Sequence, residues 1–277
     1  MPDADATWSS APEVTRRLAA TRFHEIRWFT AIDSTNRHLL LEAARGCGEG
    51  VVAVADEQTA GRGRHGRTWV AAPGAALLAS VLLRPDLPPE RLHLVTLAVG
   101  VAASEAVAAV GGFDAGLKWP NDLVVDDRKL AGILAEAAGT RSAGTGSAGT
   151  GSGGAGAVVV GMGLNLRSDA FAPEIADTAT ACDRHAAHAV DRAELLVAWL
   201  LRLDHWLGSL DHVVTAATSR SATLGRDVHV ELARDSFSGV ATGMTPEGYL
   251  VVTRPDGTEQ TVTAGDVIHL RGRGRAS

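Results

Sequence analysis

Lys118 to Glu136, "KWPNDLVVDDRKLAGILAE", decides how the chain is read. Pro120-Asn121-Asp122 is a turn former, and the apolar residues on either side fall in runs too short for a helix. Short strands joined by tight turns are expected: "AGLKWPND", "LVVDD" and "KLAGILAEAA". Upstream, "PERLHLVTLAVGVAASEAVAAV" carries apolar residues at helical spacing. Downstream, "AVVVGMGLNL" is a further strand. Helices and strands in mixed order predict an α+β fold, a mixed sheet flanked by helices rather than a doubly wound one. The turn also gathers Lys118, Asn121, Asp122, Arg128 and Lys129. Alone, such a turn is at home in any hairpin.

Towards the N-terminus, "PEVTRRLAAT" reads as a short helix and "EIRWFTAI" as a strand. In "DSTNRHLLLEAARG", Asp33 or Ser34 can cap a helix that Gly46 ends. "VVAVADEQ" and "ALLASVLLRP" are strands. Gly139–Ala157, nearly free of side chains able to pack, reads as a mobile connection between two strands. "RAELLVAWLLRLDHWLGSL" is the clearest late helix, with Trp199 and Trp206 seven apart on a packing face. From Ser221 the texture changes to short alternating strands with Asp-Gly turns, as in a small β-barrel or sandwich. The expected divisions are an N-terminal segment (1–21), a main domain (22–219), a small β domain (220–271) and a tail (272–277).

With 277 residues, 45% of them hydrophobic, the chain can bury a full core. A net charge of −6 excludes a general nucleic-acid binder, so no DNA partner is expected. Two distant cysteines give neither a disulfide scaffold nor a cysteine zinc site. The polar, acidic start is no signal peptide and no uninterrupted apolar run is long enough to span a bilayer. A cytoplasmic protein with no membrane partner is expected.

In an acidic chain, "ADEQTAGRGRHGRTW" (55–69) needs a local explanation. Glycines let backbone approach a ligand, and arginine forks match carboxylate or phosphate oxygens. A solvated basic loop or a disordered RNA-binding segment would look similar in isolation. The loop is short, however, and it follows a buried-type strand. No phosphate-binding P-loop and no dinucleotide fingerprint is present. With the 118–136 stretch it supplies cationic clamps plus a carboxylate, the equipment for chemistry at phosphorus. His65 lacks partners at metal-ligand spacing, and His185 and His188 read as solvated. Glu136 reads as an edge-strand charge.

In order, "DSTN", "EQTAGRGRHGRTW", "KWPNDLVVDDRKLAGILAE" and "VVVGMGLNL" resemble the biotin–protein ligase family. The tail "LGRDVHVEL…SGVATGMTPEGYLVV…GDVIHL" is similar to that family's SH3-like C-terminal domain. The likeness runs from about Phe29 to Leu270. It implies a catalytic domain of the class II aminoacyl-tRNA-synthetase and biotin-ligase type. It also implies ATP-dependent formation of biotinyl-5′-adenylate and transfer of biotin to a lysine of a carboxyl carrier domain, by a monomer or homodimer.

The resemblance assigns biotin contacts to Ser34, Thr35, Asn36, Gln58, Arg62, Gly63, Arg64, Lys129, Gly132, Gly161 and Gly163. ATP or adenylate contacts fall to Arg62, Arg64, Arg67, Trp69, Lys118, Asn121 and Asn165. Lys129, Arg64 and Arg67 are the expected catalytic cations, with Asp122 holding Mg²⁺. Lipoate–protein ligases share the fold, but their Arg-Arg-x-x-Gly-Gly-Gly loop is absent. A nucleic-acid or effector-binding module would need a basic stripe through the C-terminal strands. Those strands are mixed or acidic. About twenty residues precede the first strand, too few for the helix-turn-helix repressor domain of many relatives.

Overall fold

A computed structural model describes residues 11–138, 156–232, 234–263 and 265–270. The expectation for Gly139–Ala157 falls almost wholly outside the described residues.

Seven strands form one sheet in the order β1-β2-β3-β7-β6-β5-β4. They are β1 (Glu25–Ile32), β2 (Val51–Gln58), β3 (Ala76–Leu83), β4 (Gly116–Lys118), β5 (Asp122–Val125), β6 (Arg128–Ala137) and β7 (Val158–Asn165). Only β1 and β2 pair in parallel; every other pairing is antiparallel. The helices are α1 (Ala11–Leu18), α2 (Thr35–Ala44), α3 (His93–Gly111), α4 (Arg192–Leu207) and α5 (Leu210–Ser219).

The central strands are covered on both faces, which is why β3 is apolar except for Ser80 and is buried throughout. Side chains alternate between the two faces. Val52, Leu77, Ala79, Val81 and Val160 join a core built with α3 and α4. Ala53, Leu82 and Val159 pack with Leu39 and Ala43 of α2 on the other side. Helix α3 is long and apolar enough to cross a membrane by length and composition, a test that the sequence reading took no run to pass. It is instead a core helix, 72% buried.

On the α2 face the sheet changes character beyond Leu82. Ser80 lies opposite Gly161, which lies opposite Leu134; Leu78, Gly163, Gly132 and Asp122 form the next row. Here only the first turn of α2, through Thr35 and Asn36, still lies over the strands. This open end of one sheet face is where the site forms.

Five further antiparallel strands have the order β11-β10-β9-β8-β12. They are β8 (Asp227–Glu231), β9 (Ser236–Met244), β10 (Leu250–Thr253), β11 (Glu259–Val262) and β12 (Asp266–His269). Their core includes Val228, Val230, Leu250 and Val252, the makings of a small SH3-like domain. Trp119, from the 118–122 turn, is 6% exposed and buried in that same core. Its backbone N–H donates to Thr223 Oγ1 at 3.1 Å and its indole N–H to the Gly248 carbonyl at 3.3 Å.

Candidate active site

The residues assigned to biotin, nucleotide or metal from sequence line a single cavity of about 830 Å³. Three pieces of local structure bring them together. The first is the start of α2. Ser34 is its N-cap, accepting from the Arg37 N–H at 3.4 Å, and Thr35 and Asn36 follow in the first turn, buried. Asn36 Nδ2 donates to the Leu134 carbonyl at 3.1 Å and to Glu136 Oε2 at 2.9 Å, while its Oδ1 faces Ser80 Oγ at 2.6 Å. Gln58 Oε1 receives the Thr35 N–H at 2.8 Å. These groups form a hydrogen-bonded polar floor.

Gly161 is required by that floor. A methyl group there would overlap the Asn36 side-chain oxygen and lie 2.9 Å from Ser80 Oγ. Gly163 and Gly132, cross-strand partners, clear space for Trp69. A side chain at Gly163 would stand 2.7 Å from the indole Nε1. The sequence reading had these three glycines admitting ligand directly; in the fold their cleared space holds Asn36 and the Trp69 ring. Trp69 is half-buried and walls the cavity.

The second piece is a β-bulge. Pairing of β5 with β6 steps from Leu123–Ala131 to Val124–Lys129, leaving Leu130 as the extra residue. The extra residue puts Lys129 on the face of Gly132, where strict alternation would have sent it to the opposite one. Its Nζ lies 2.7 Å from Asp122 Oδ1 and 5.8 Å from the Trp69 ring centre. The Lys129 backbone is clamped to the 178–180 segment, donating to the Thr178 carbonyl (2.8 Å) and accepting from the Thr180 N–H (2.9 Å). Asn165, expected at the adenine, turns its amide on backbone carbonyls of Thr180 (3.0 Å) and Lys129 (3.5 Å).

The third piece is the arginine loop. Arg62 pairs with Glu136 Oε1 at 2.8 Å. The sequence reading of Glu136 as a plain edge charge is corrected: β5 does stop short of it, but the carboxylate joins Arg62 to Asn36. Arg64 donates to Asn121 Oδ1 at 2.9 Å, and Asn121 Nδ2 is spent on the Ile133 carbonyl, so Asn121 steers an arginine here. Asp266, at the head of β12, collects Arg67, Arg64 (3.8 Å) and His65 (3.5 Å). His185, read as solvated, is partly buried and bonded to Thr180 Oγ1 at 2.8 Å.

The cavity therefore holds Arg62, Arg64, Arg67, Lys118 and Lys129, all but Lys118 paired with Glu136, Asp266 or Asp122. Burial pushes the Lys118 ammonium below its ordinary pKa. Ser80, Glu136 and Asp266 escaped sequence reading because each acts through partners far off in the chain.

This arrangement can be set beside known proteins. Residues 28–152 match the Biotin/lipoate A/B protein ligase family, and residues 223–270 match the Biotin protein ligase C terminal domain. The biotin–[acetyl-CoA-carboxylase] ligase of Mycobacterium tuberculosis is 38% identical over 86% of either chain. The chain belongs to the biotin–protein ligase family. The ligase of Paracoccus denitrificans is 30% identical, with 85% of this chain and 96% of that one covered. The Aquifex aeolicus biotin protein ligase, solved with biotin and ATP, superposes with a TM-score of 0.74 at 26% identity. That comparison covers 90% of this ligase and 100% of the Aquifex chain. The second family match and the Mycobacterium and Paracoccus relatives all carry biotin ligase names.

Proposed function

We propose that this cavity binds biotin and ATP side by side and catalyses a two-step biotinylation. In the first step a carboxylate oxygen of biotin attacks the α-phosphorus, the bond to pyrophosphate breaks, and biotinyl-5′-adenylate forms. In the second, a lysine amine of a carboxyl carrier domain attacks the acyl carbon and AMP leaves, the amine proton passing to solvent. The observation that carries this reading is the junction of two unlike surfaces in one cavity: a buried amide and hydroxyl floor, and a wall of five cations.

Ser34, Thr35 and Gln58 contact the ureido ring, and Trp69 faces the apolar parts. Lys129 lies between the two substrates, where negative charge grows on bridging oxygen, and a preorganised cation stabilises it. Arg62, Arg64 and Arg67 receive carboxylate and phosphate oxygens, with Lys118 as a further phosphate contact. The arginines pair with Glu136 and Asp266 and Lys129 with Asp122, so an arriving anion exchanges for a carboxylate.

Mg²⁺ fits Asp122. Among the described residues no cluster of three His, Cys, Asp or Glu can hold a metal. A single carboxylate supplemented by substrate phosphates is an ordinary Mg²⁺ donor set. The ion would neutralise triphosphate charge.

Pyrophosphate release from ATP tests the reading. Release should require biotin, and AMP release should require an added carrier domain. Release driven by lipoate in place of biotin, or by neither acid, overturns it.

A further inference from the structure

Glu136 has two partners that the sequence places 100 and 74 residues before it, Asn36 and Arg62. Its paired carboxylate can only accept hydrogen bonds. The NH₂ end of Asn36 must therefore face Glu136, leaving Oδ1 towards Ser80 Oγ, 2.6 Å away. An amide oxygen also only accepts, so Ser80 commits its single hydroxyl proton there. The 2.7 Å contact between Thr35 Oγ1 and Ser80 Oγ must then run from Thr35 to Ser80. No proton remains for the 3.1 Å contact of Thr35 Oγ1 with Gln58 Oε1, which the Thr35 N–H serves instead at 2.8 Å. With its oxygen held, Gln58 turns its NH₂ end towards Gly61. The Glu136 carboxylate and the Leu134 carbonyl, which accepts from the same NH₂ group at 3.1 Å, thus order the donors and acceptors along Asn36, Ser80 and Thr35, while the Thr35 N–H fixes Gln58.

We infer that Glu136 is a positioning residue that, together with the Leu134 carbonyl, sets the hydrogen-bond polarity of this floor and, through Arg62, joins it to the arginine loop. The inference rests on the proposed function, because it gives that polarity a purpose. A cyclic urea presents two fixed N–H donors and one carbonyl acceptor. A floor whose direction is set beforehand distinguishes it from a ring whose carbonyl oxygen is replaced by an imino N–H. A floor free to flip does not.

The test uses Glu136→Gln, which keeps shape but allows an NH₂ group to face Asn36, so that only the Leu134 carbonyl still opposes a turn of the Asn36 amide and reversal of the Ser80 and Thr35 hydroxyls. The KM for biotin should rise about tenfold to a hundredfold, with the KM for ATP changing far less. Selectivity for biotin over 2-iminobiotin should fall by about tenfold or more, because the variant can meet either polarity. A role in packing alone would weaken both ligands equally. Because Glu136→Gln also loosens Arg62, Ser80→Ala is the second arm; it cuts the relay and leaves the Arg62 pair intact. It should reproduce the selectivity loss, and the double variant should be no less selective than the worse single one.

Unchanged KM and selectivity in Glu136→Gln, an equal loss for both ligands, or additive selectivity effects would each overturn the inference. If Glu136→Gln does not fold, Ser80→Ala decides with the same ratio. A wild-type chain that releases no pyrophosphate with biotin overturns the functional reading instead, and the two failures are thereby distinct.

Discussion

Ser34, Thr35, Asn36 and Ser80 are each at most 4% exposed, whereas the side chains of Arg62, His65 and Arg67 in the adjoining loop are 46–68% exposed. Both regions are polar and both line the same cavity, yet they are held differently. The floor is held by hydrogen bonds within one sheet and one helix end, at distances that leave little slack. The loop is held by ion pairs, several of them to Asp266 on a different sheet, and exposed pairs of this kind are weak. Recognition of a neutral ring depends on geometry fixed beforehand; recognition of anions here depends on cations that can change partners. Substitutions in the two regions should therefore fail in different ways.

Lys129 stands where the regions meet, and its loss should do most harm. Lys129→Ala should slow adenylate formation by ~10²–10³ with the fold intact, read by single-turnover quench. Near wild-type turnover would remove Lys129 from the chemistry. Next comes the floor. Gly161→Ala places a methyl group on the Asn36 oxygen and should cost about 1–3 kcal/mol of stability together with most biotin affinity. Calorimetric biotin binding equal to wild type would show the floor to be softer than its packing implies.

The loop should fail by leakage rather than by loss of binding. Arg64→Gly removes the contacts to Asn121 and Asp266, and activated biotin should escape to label lysines of bystander proteins. No more bystander labelling than wild type would end the retention role of Arg64. Asp266→Asn frees the loop from its carboxylate. It should change kcat/KM for ATP by no more than about fivefold while raising proteolysis within residues 61–67 of the ligand-free enzyme. The smallest effect is expected from replacing residues 139–156 with Asn-Gly. The β6–β7 ladder already closes at Ala137–Val158, with the Ala138 N–H donating to the Ala157 carbonyl at 2.7 Å. Stability should move by no more than ~2 kcal/mol and turnover should hold. A loss of carrier biotinylation alone would give the segment a docking role.

What the sequence disclosed follows the same division. Arg62, Arg64, Lys118 and Lys129 were legible because their charges crowd into two short stretches. Strand texture and turn residues disclosed the mixed sheet and the small β domain. Ser80 was invisible inside the apolar run of β3, since its partners on α2 lie some 45 residues away. Lys129 could be picked out, but its facing could not, because a bulge breaks strict alternation and no residue type announces it. The three glycines were noticed for their lack of side chains. Which group occupies the vacated space depends on Trp69 and Asn36 arriving from elsewhere in the chain.

Trp119 bears on how far this enzyme can be taken apart. It belongs by sequence to the turn whose Lys118, Asn121 and Asp122 line the cavity, and by packing to the core of the small β domain. Removing residues beyond Arg220 would uncover a tryptophan and strip the Thr223 and Gly248 acceptors from its two N–H groups, all within one residue of the cavity wall. The small domain is thus not a detachable accessory, although it has its own sheet. Joint ownership of one side chain makes the two units a single engineering part. A chimera that exchanges the C-terminal domain has to carry the 117–122 turn with it.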